Sequence, residues 1–156
     1  MKIRTLSFLL VLSAILTLFA ACSSTEVDVT IDVAALGTDL SKVQFVDPDM
    51  ALIDAAIVTS RYGFTSAAVK VVAYGGSGAT PEEIIVAEYE SAAKAKDAFS
   101  GFQSHLDSQK STFDDYNAEY RPLLDSPILE QIGKYVVYCV CDAPSQAQAV
   151  VDSFKK

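Results

Sequence analysis

The feature that most constrains this chain is a long helical pattern with a single apolar stripe. From Ala92 onward, apolar residues recur at Ala95, Phe99, Phe102, Leu106 and Phe113, at steps of three, four and seven, while Lys94, Lys96, Asp97, Gln103, Asp107 and Lys110 occupy the other side. Ser91 stands where an N-cap belongs. The stripe turns polar at one point, Gln109. A helix of this kind must lay one face on another layer. The layer it needs is supplied by β-type runs: Ala67 to Tyr74, Ile84 to Tyr89 and Lys134 to Cys141. The first two are joined by Gly75-Gly76-Ser77-Gly78-Ala79-Thr80-Pro81, so they read as a hairpin.

The remaining segments complete an expected order of strand, helix, strand, strand, long helix, short helix, strand, helix. Glu26 to Val33 alternates Val27, Val29, Ile31 and Val33 with polar residues and reads as a half-buried strand, with a helix turn able to begin near Asp32. Asp47-Pro48-Asp49 reads as a helix start whose apolar face is Met50, Ile53 and Ile57, ending near Arg61-Tyr62-Gly63 with Gly63 left-handed. The segment from Pro122 to Ile132 reads as holding a short helix, capped by Ser126, starting at Pro127 and stopped by Gly133, and the last helix reads as capped by Asp142, with Ala147, Val150, Val151 and Phe154 on one face. The expectation is a single α+β domain over residues 27–156, an antiparallel sheet of three to four strands with helices packed mainly on one face. A ferredoxin-like strand order is also compatible with this sequence of elements.

The first 21 residues stand apart from that domain. Lys2 and Arg4 precede an uncharged run from Leu6 to Ala21, which ends in Leu18-Phe19-Ala20-Ala21-Cys22. The run is slightly long for the apolar region of a signal peptide and slightly short for a spanning helix. Its end resembles the lipobox of bacterial lipoproteins, an apolar residue and two small ones before Cys. The resemblance implies cleavage before Cys22, a lipid on the Cys22 thiol, and a short tether over residues 22–26 that holds the domain at the extracytoplasmic face of the cell membrane. An uncleaved membrane anchor would place the domain on the same side. Without Lys2 and Arg4, ten Lys and Arg stand against 20 Asp and Glu, a net charge of −10. Nucleic acid is therefore not an expected partner, since it is held by basic patches. Nor is flat docking on an anionic bilayer. The expected partners are the membrane, through the lipid, and another envelope protein or a wall component.

From Val69 to Phe154 the order of features resembles the bacterial lipoprotein family known as domain of unknown function 4358. The residues concerned are the acidic-then-aliphatic strand start Glu82-Glu83-Ile84-Ile85-Val86, the helix end Gln109-Lys110-Ser111-Thr112-Phe113-Asp114-Asp115-Tyr116, the strand Gly133-Lys134-Tyr135-Val136-Val137, and the acidic-capped last helix. The family's Tyr-x-Pro step appears here as Tyr116 to Pro122 with Tyr120 and Arg121 between. The resemblance implies a small lipid-anchored envelope protein with no established activity.

No catalytic constellation is read from the residues, and no metal site or cofactor is expected. Cys139 and Cys141 share one face of a strand, with Cβ atoms about 6 Å or more apart, which exceeds disulfide reach. They read as small buried apolar residues, or as a redox or metal pair lacking further ligands. His105, the sole histidine, reads as a helix-boundary residue. Glu82 and Glu83 point to opposite faces of an extended chain. The binding face expected is the glycine loop Gly75, Gly76 and Gly78 with Glu83, together with Tyr116, Tyr120 and Arg121 after the long helix. The functional expectation is a non-enzymatic binding or accessory module. The alternatives are an envelope hydrolase using carboxylates and a small solute-binding lipoprotein.

Overall fold

The computed structural model describes residues 29–156. The signal segment, Cys22, the tether and the start of the expected first strand lie outside the described residues. Five strands form one antiparallel sheet: β1 (Ala51–Leu52), β2 (Lys70–Gly75), β3 (Glu83–Glu88), β4 (Ile128–Ile132) and β5 (Tyr135–Val140). Their order is β1-β2-β3-β5-β4. The helices are α1 (Val33–Leu40), α2 (Ala55–Arg61), α3 (Ala92–Tyr116) and α4 (Pro144–Ser153). The class is therefore α+β, with five strands where three to four were expected. β3 lies between β2 and β5, which excludes the ferredoxin-like order.

Alternation along the central strands builds two separate cores. Ile84 and Val86 of β3 with Tyr135, Val137 and Cys139 of β5 face α1 and α4, whose Leu36, Leu40, Ala147 and Val151 cover them. Ile85 and Ala87 with Val136, Tyr138 and Val140 face α3, whose Ala95, Phe102, Leu106 and Phe113 form the expected stripe, with Val58 and Tyr62 beside them. The helices thus cover both faces of the sheet, correcting the one-sided expectation. Because β3 and β5 are central, they are apolar on both sides and leave no solvated face.

Several local readings change for identifiable reasons. The chain is not a strand over 29–32. Asp32 caps α1 by accepting from the Ala34 and Ala35 amides at 2.9 and 3.2 Å, and the apolar spacing Val33, Leu36, Leu40 then follows a helix. The expected helix start at Asp47 is deferred to Asp54, which caps α2 through the Ala56 amide. Asp47 is instead drawn to the glycine loop thirty residues on, and Leu52 and Ile57 are left exposed. Gly63 opens a 3₁₀ turn (Gly63–Thr65) and has no positive φ. The short helix expected from Pro127 is instead strand β4, preceded by a 3₁₀ turn over Arg121–Asp125. Gly133 makes the β4–β5 turn at φ +54°, where L side chains are strained. Asp142 accepts from Gln44 at 2.6 Å and does not cap α4, which begins at Pro144. Ser91 does cap α3, accepting from the Lys94 amide.

Candidate functional site

The C-terminal end of β2, the start of β3 and the last two turns of α3 enclose a cleft of about 380 Å³. Its wall is the connector from Gly76 to Glu82, and the way that connector is held follows from two carboxylates. Asp47 Oδ2 accepts from the Ser77 amide at 2.8 Å and from the Ser77 hydroxyl at 2.6 Å, while its Oδ1 accepts from the Asp49 amide at 2.9 Å. The Ser77 hydroxyl, followed by the Asp49 amide, holds the Asp47 carboxyl below its ordinary range. A Cβ on Gly76 would lie 2.3 Å from Asp47 Oδ2, so only glycine permits this approach. Glu82 turns to the same side as Asp47. It accepts from the Val46 and Asp47 amides at 2.9 and 2.7 Å and from the Thr80 hydroxyl at 3.1 Å. Asn117, just past α3, donates to the Ala79 carbonyl at 3.4 Å and ties the loop to the helix end.

Glu83 points the other way, toward α3, as strand alternation requires. The Tyr62 hydroxyl donates to its Oε2 at 2.9 Å and the Gln109 amide to its Oε1 at 3.4 Å, with His105 Nε2 bonded to the same Oε1. The Glu83 side chain is only 7 % exposed, so this carboxylate is buried and satisfied by side chains from α3 and the end of α2. The His105 ring stands edge-on to Tyr62 and Tyr138, at centroid distances of 5.6 and 5.7 Å, and is tilted against Phe64 at 5.3 Å. Burial first, and the Glu83 charge second, push the Tyr62 and Tyr138 hydroxyls well above the ordinary phenol range. The Tyr138 hydroxyl is buried without a hydrogen-bond partner among the described residues. On the other side of the sheet, Cys139 and Cys141 are free and buried, and the hydrogen bond to Cys141 followed by burial raises the Cys139 thiol.

Of the residues singled out by sequence, Gly75, Gly76, Gly78, Glu83 and Tyr116 all line this cleft. Tyr120 and Arg121 do not. Tyr120 is half-buried against the α3-side core. Arg121 is bridged to Asp114 at 3.0 Å and to Asp125 at 2.6 Å. Residues that sequence reasoning passed over are Arg61, Tyr62, His105 and Gln109. The break in the apolar stripe at Gln109 was the available signal. Gln109 lies one helical turn from His105, so both reach the same carboxylate. Nothing local marks Tyr62, whose partner is 21 residues away.

Arg61 is the open cation of the cleft. Its guanidinium lies 5.7 Å from the centre of the Tyr62 ring, and its Nη1 would be 3.8 Å from a Cβ built on Gly75. Among the described residues no carboxylate forms an ion pair with it. The Tyr116 ring, 72 % exposed, stands at the opposite lip.

The family model for a domain of unknown function, DUF4358, matches residues 45–141. The chain belongs to the DUF4358 family. The matched span includes Asp47, Arg61, Tyr62, the glycine loop, Glu83, His105, Gln109 and Tyr116, and leaves α1 and α4 outside it. No curated protein and no solved structure matches the chain. Among the described residues, no helix is long and apolar enough to cross a membrane, and no three His, Cys, Asp or Glu side chains are grouped to hold a metal ion.

Proposed function

We propose that the protein is a lipid-anchored, extracytoplasmic binding or accessory module of the cell envelope, and that it binds through the cleft between the glycine loop and α3. The observation that supports this reading is the condition of the cleft's carboxylates. Asp47, Glu82 and Glu83 are buried, and each is engaged by donors of the chain itself. Glu82 and Glu83 face opposite ways, so they do not converge on one substrate atom as acid–base hydrolysis by paired carboxylates requires. The groups left open are the Arg61 guanidinium, the Tyr116 ring and glycine backbone, which hold partners rather than transform them. The anchor rests on Leu18 to Cys22, and the brief tether keeps the cleft close to the bilayer. With a charge of −10 outside the signal segment, the fitting partner is another envelope protein or a wall component.

A photo-cross-linking amino acid placed at Tyr116 tests the reading in cells, with the same group at exposed Gln103 on α3 as control. The expected result is a defined adduct from position 116 that is absent from position 103 and is lost in Cys22→Ser. The same adducts from both positions, or none from position 116, overturn the cleft as the binding face. An adduct of small-molecule mass points to the solute-binding alternative.

A further inference from the structure

We infer that the cleft takes the free carboxylate end of a peptide-like ligand, with Arg61 as its anchoring residue. The inference rests on the cleft being the binding face and specifies the chemistry it recognises.

The first argument is charge. The chain as a whole is strongly acidic, two carboxylates, Glu82 and Glu83, line the cleft, and Asp47 stands behind its loop. Yet Glu83 is bonded to His105, Tyr62 and Gln109, and Asp47 and Glu82 are turned to backbone amides and to the Ser77 and Thr80 hydroxyls. Each of these carboxylates thus accepts three hydrogen bonds from the chain itself. Arg61 differs from Arg121, the other arginine among the described residues. Arg121 has two carboxylates, whereas Arg61 lines the cleft with its guanidinium carbon 5.7 Å from the centre of the Tyr62 ring and no carboxylate partner among the described residues. A guanidinium presents a planar fork that matches a carboxylate. A cation near an aromatic ring is attracted to it without consuming an N–H donor.

The second argument is the backbone beside it. Gly76 and Gly78 both line the cleft, and neither backbone N–H donates to another group among the described residues. The neighbouring Ser77 amide is taken by Asp47. Free N–H groups of a turn next to an arginine are a recurrent means of capturing a terminal carboxylate. The loop is not free to collapse over them, because Asp47 and Asn117 hold it from two sides.

The third argument is what adjoins this polar corner. Phe113, Pro81 and the exposed Tyr116 line the same cleft, which suits an apolar side chain next to the carboxylate. A bare inorganic anion would leave that surface unused.

The test uses the full-length chain, isotopically labelled and held in detergent micelles, with two probes: N-acetyl-Ala-Phe bearing a free carboxylate and its C-terminal amide. Chemical-shift changes are followed at the Gly76 and Gly78 amides, the Arg61 side chain and Tyr116. The expected result is binding of the free acid about tenfold or more tightly than the amide, as a charge-assisted bond supplies. Arg61→Gln abolishes that preference, and Arg61→Lys restores part of it. Arg61 is exposed, so these variants leave the core intact. Equal binding of acid and amide at the cleft overturns the carboxylate assignment while the cleft stands as a binding face. Binding of neither probe at millimolar concentration also overturns it, and the Tyr116 cross-link then decides separately whether the cleft binds anything. Shifts confined to residues outside the cleft overturn both.

Discussion

The two faces of the sheet are built from the same strands and solve different problems. Toward α1 and α4, β3 and β5 present Ile84, Val86, Tyr135, Val137 and Cys139, and the layer above them is aliphatic. Toward α3 they present Ile85, Ala87, Val136, Tyr138 and Val140, but at the start of β3 the pattern is interrupted by Glu83 and its ring of donors. An aliphatic layer is stabilised by removing area from water, at roughly 25 cal/mol per Å². A buried carboxylate gains little or nothing over a hydrophobic replacement and is strongly destabilising once its partners are lost. The first face therefore carries stability. The second trades some of it for a fixed polar floor under the cleft, and α3 serves both ends, core at Phe102 and Leu106 and polar at His105 and Gln109.

The sharpest break of that comparison is Glu83→Ala. It leaves His105, Tyr62 and Gln109 without their acceptor, and the expected loss is about 3–5 kcal/mol in urea unfolding. A loss near zero would mean that the polar floor is not organised around the Glu83 carboxylate. One residue on, Ile84→Ala acts on the opposite face. Its expected loss is about 2–5 kcal/mol, with cross-linking from position 116 unchanged, because the cavity opens under α1 and away from the cleft. If Ile84→Ala abolishes the cross-link, the two faces are coupled more tightly than their separate cores imply.

Smaller effects sharpen the picture at the loop. Gly76→Ala forces a Cβ onto Asp47, so the loop must move outward. The expected cost is about 1–3 kcal/mol, with loss of the cross-link at position 116. The same carboxylate gives a pH dependence with a definite sign. Asp47 has a depressed folded value, below its ordinary 3.8, so its contribution is present above that value and is lost as pH falls through the lower folded one. Unfolding followed through the acid range should therefore show a component that vanishes in Asp47→Asn. An unchanged acid limb in that variant would mean that the Ser77 contacts do not stabilise the charged form. The smallest effect is Ser91→Ala, which removes the cap of α3 at the end far from the cleft. About 1 kcal/mol is expected, with ligand binding untouched.

Legibility in the sequence divides along the range of the interactions. The α3 stripe, its Ser91 cap, the β2–β3 hairpin and β5 were all readable, because each is fixed by neighbours within a few residues. The opposed faces of Glu82 and Glu83 were readable for the same reason, as alternation is a property of extended backbone. The failures are non-local. Asp47 reads as a helix cap until Ser77 takes its carboxylate, and the 128–132 segment reads as helix until β5 supplies a strand to pair with. The glycine loop, Tyr116, Tyr120 and Arg121 read alike as a binding face, but Tyr120 packs against the α3-side core and Arg121 is bridged to Asp114 and Asp125.

By itself, then, the sequence determined which stretches could bury a face and which could turn, since those properties belong to side-chain periodicity and to glycine and proline geometry. It also determined the family, through the order of those stretches. Tertiary structure alone decided that the sheet has five strands covered on both sides, that His105 and Gln109 reach down to Glu83 with Tyr62 across from them, and that Arg61 is the arginine left open beside the glycine loop. The physical reason is that hydrogen bonds and ion pairs act only over a few ångströms, so the partner of a polar side chain is fixed by which distant segments the two hydrophobic cores bring together.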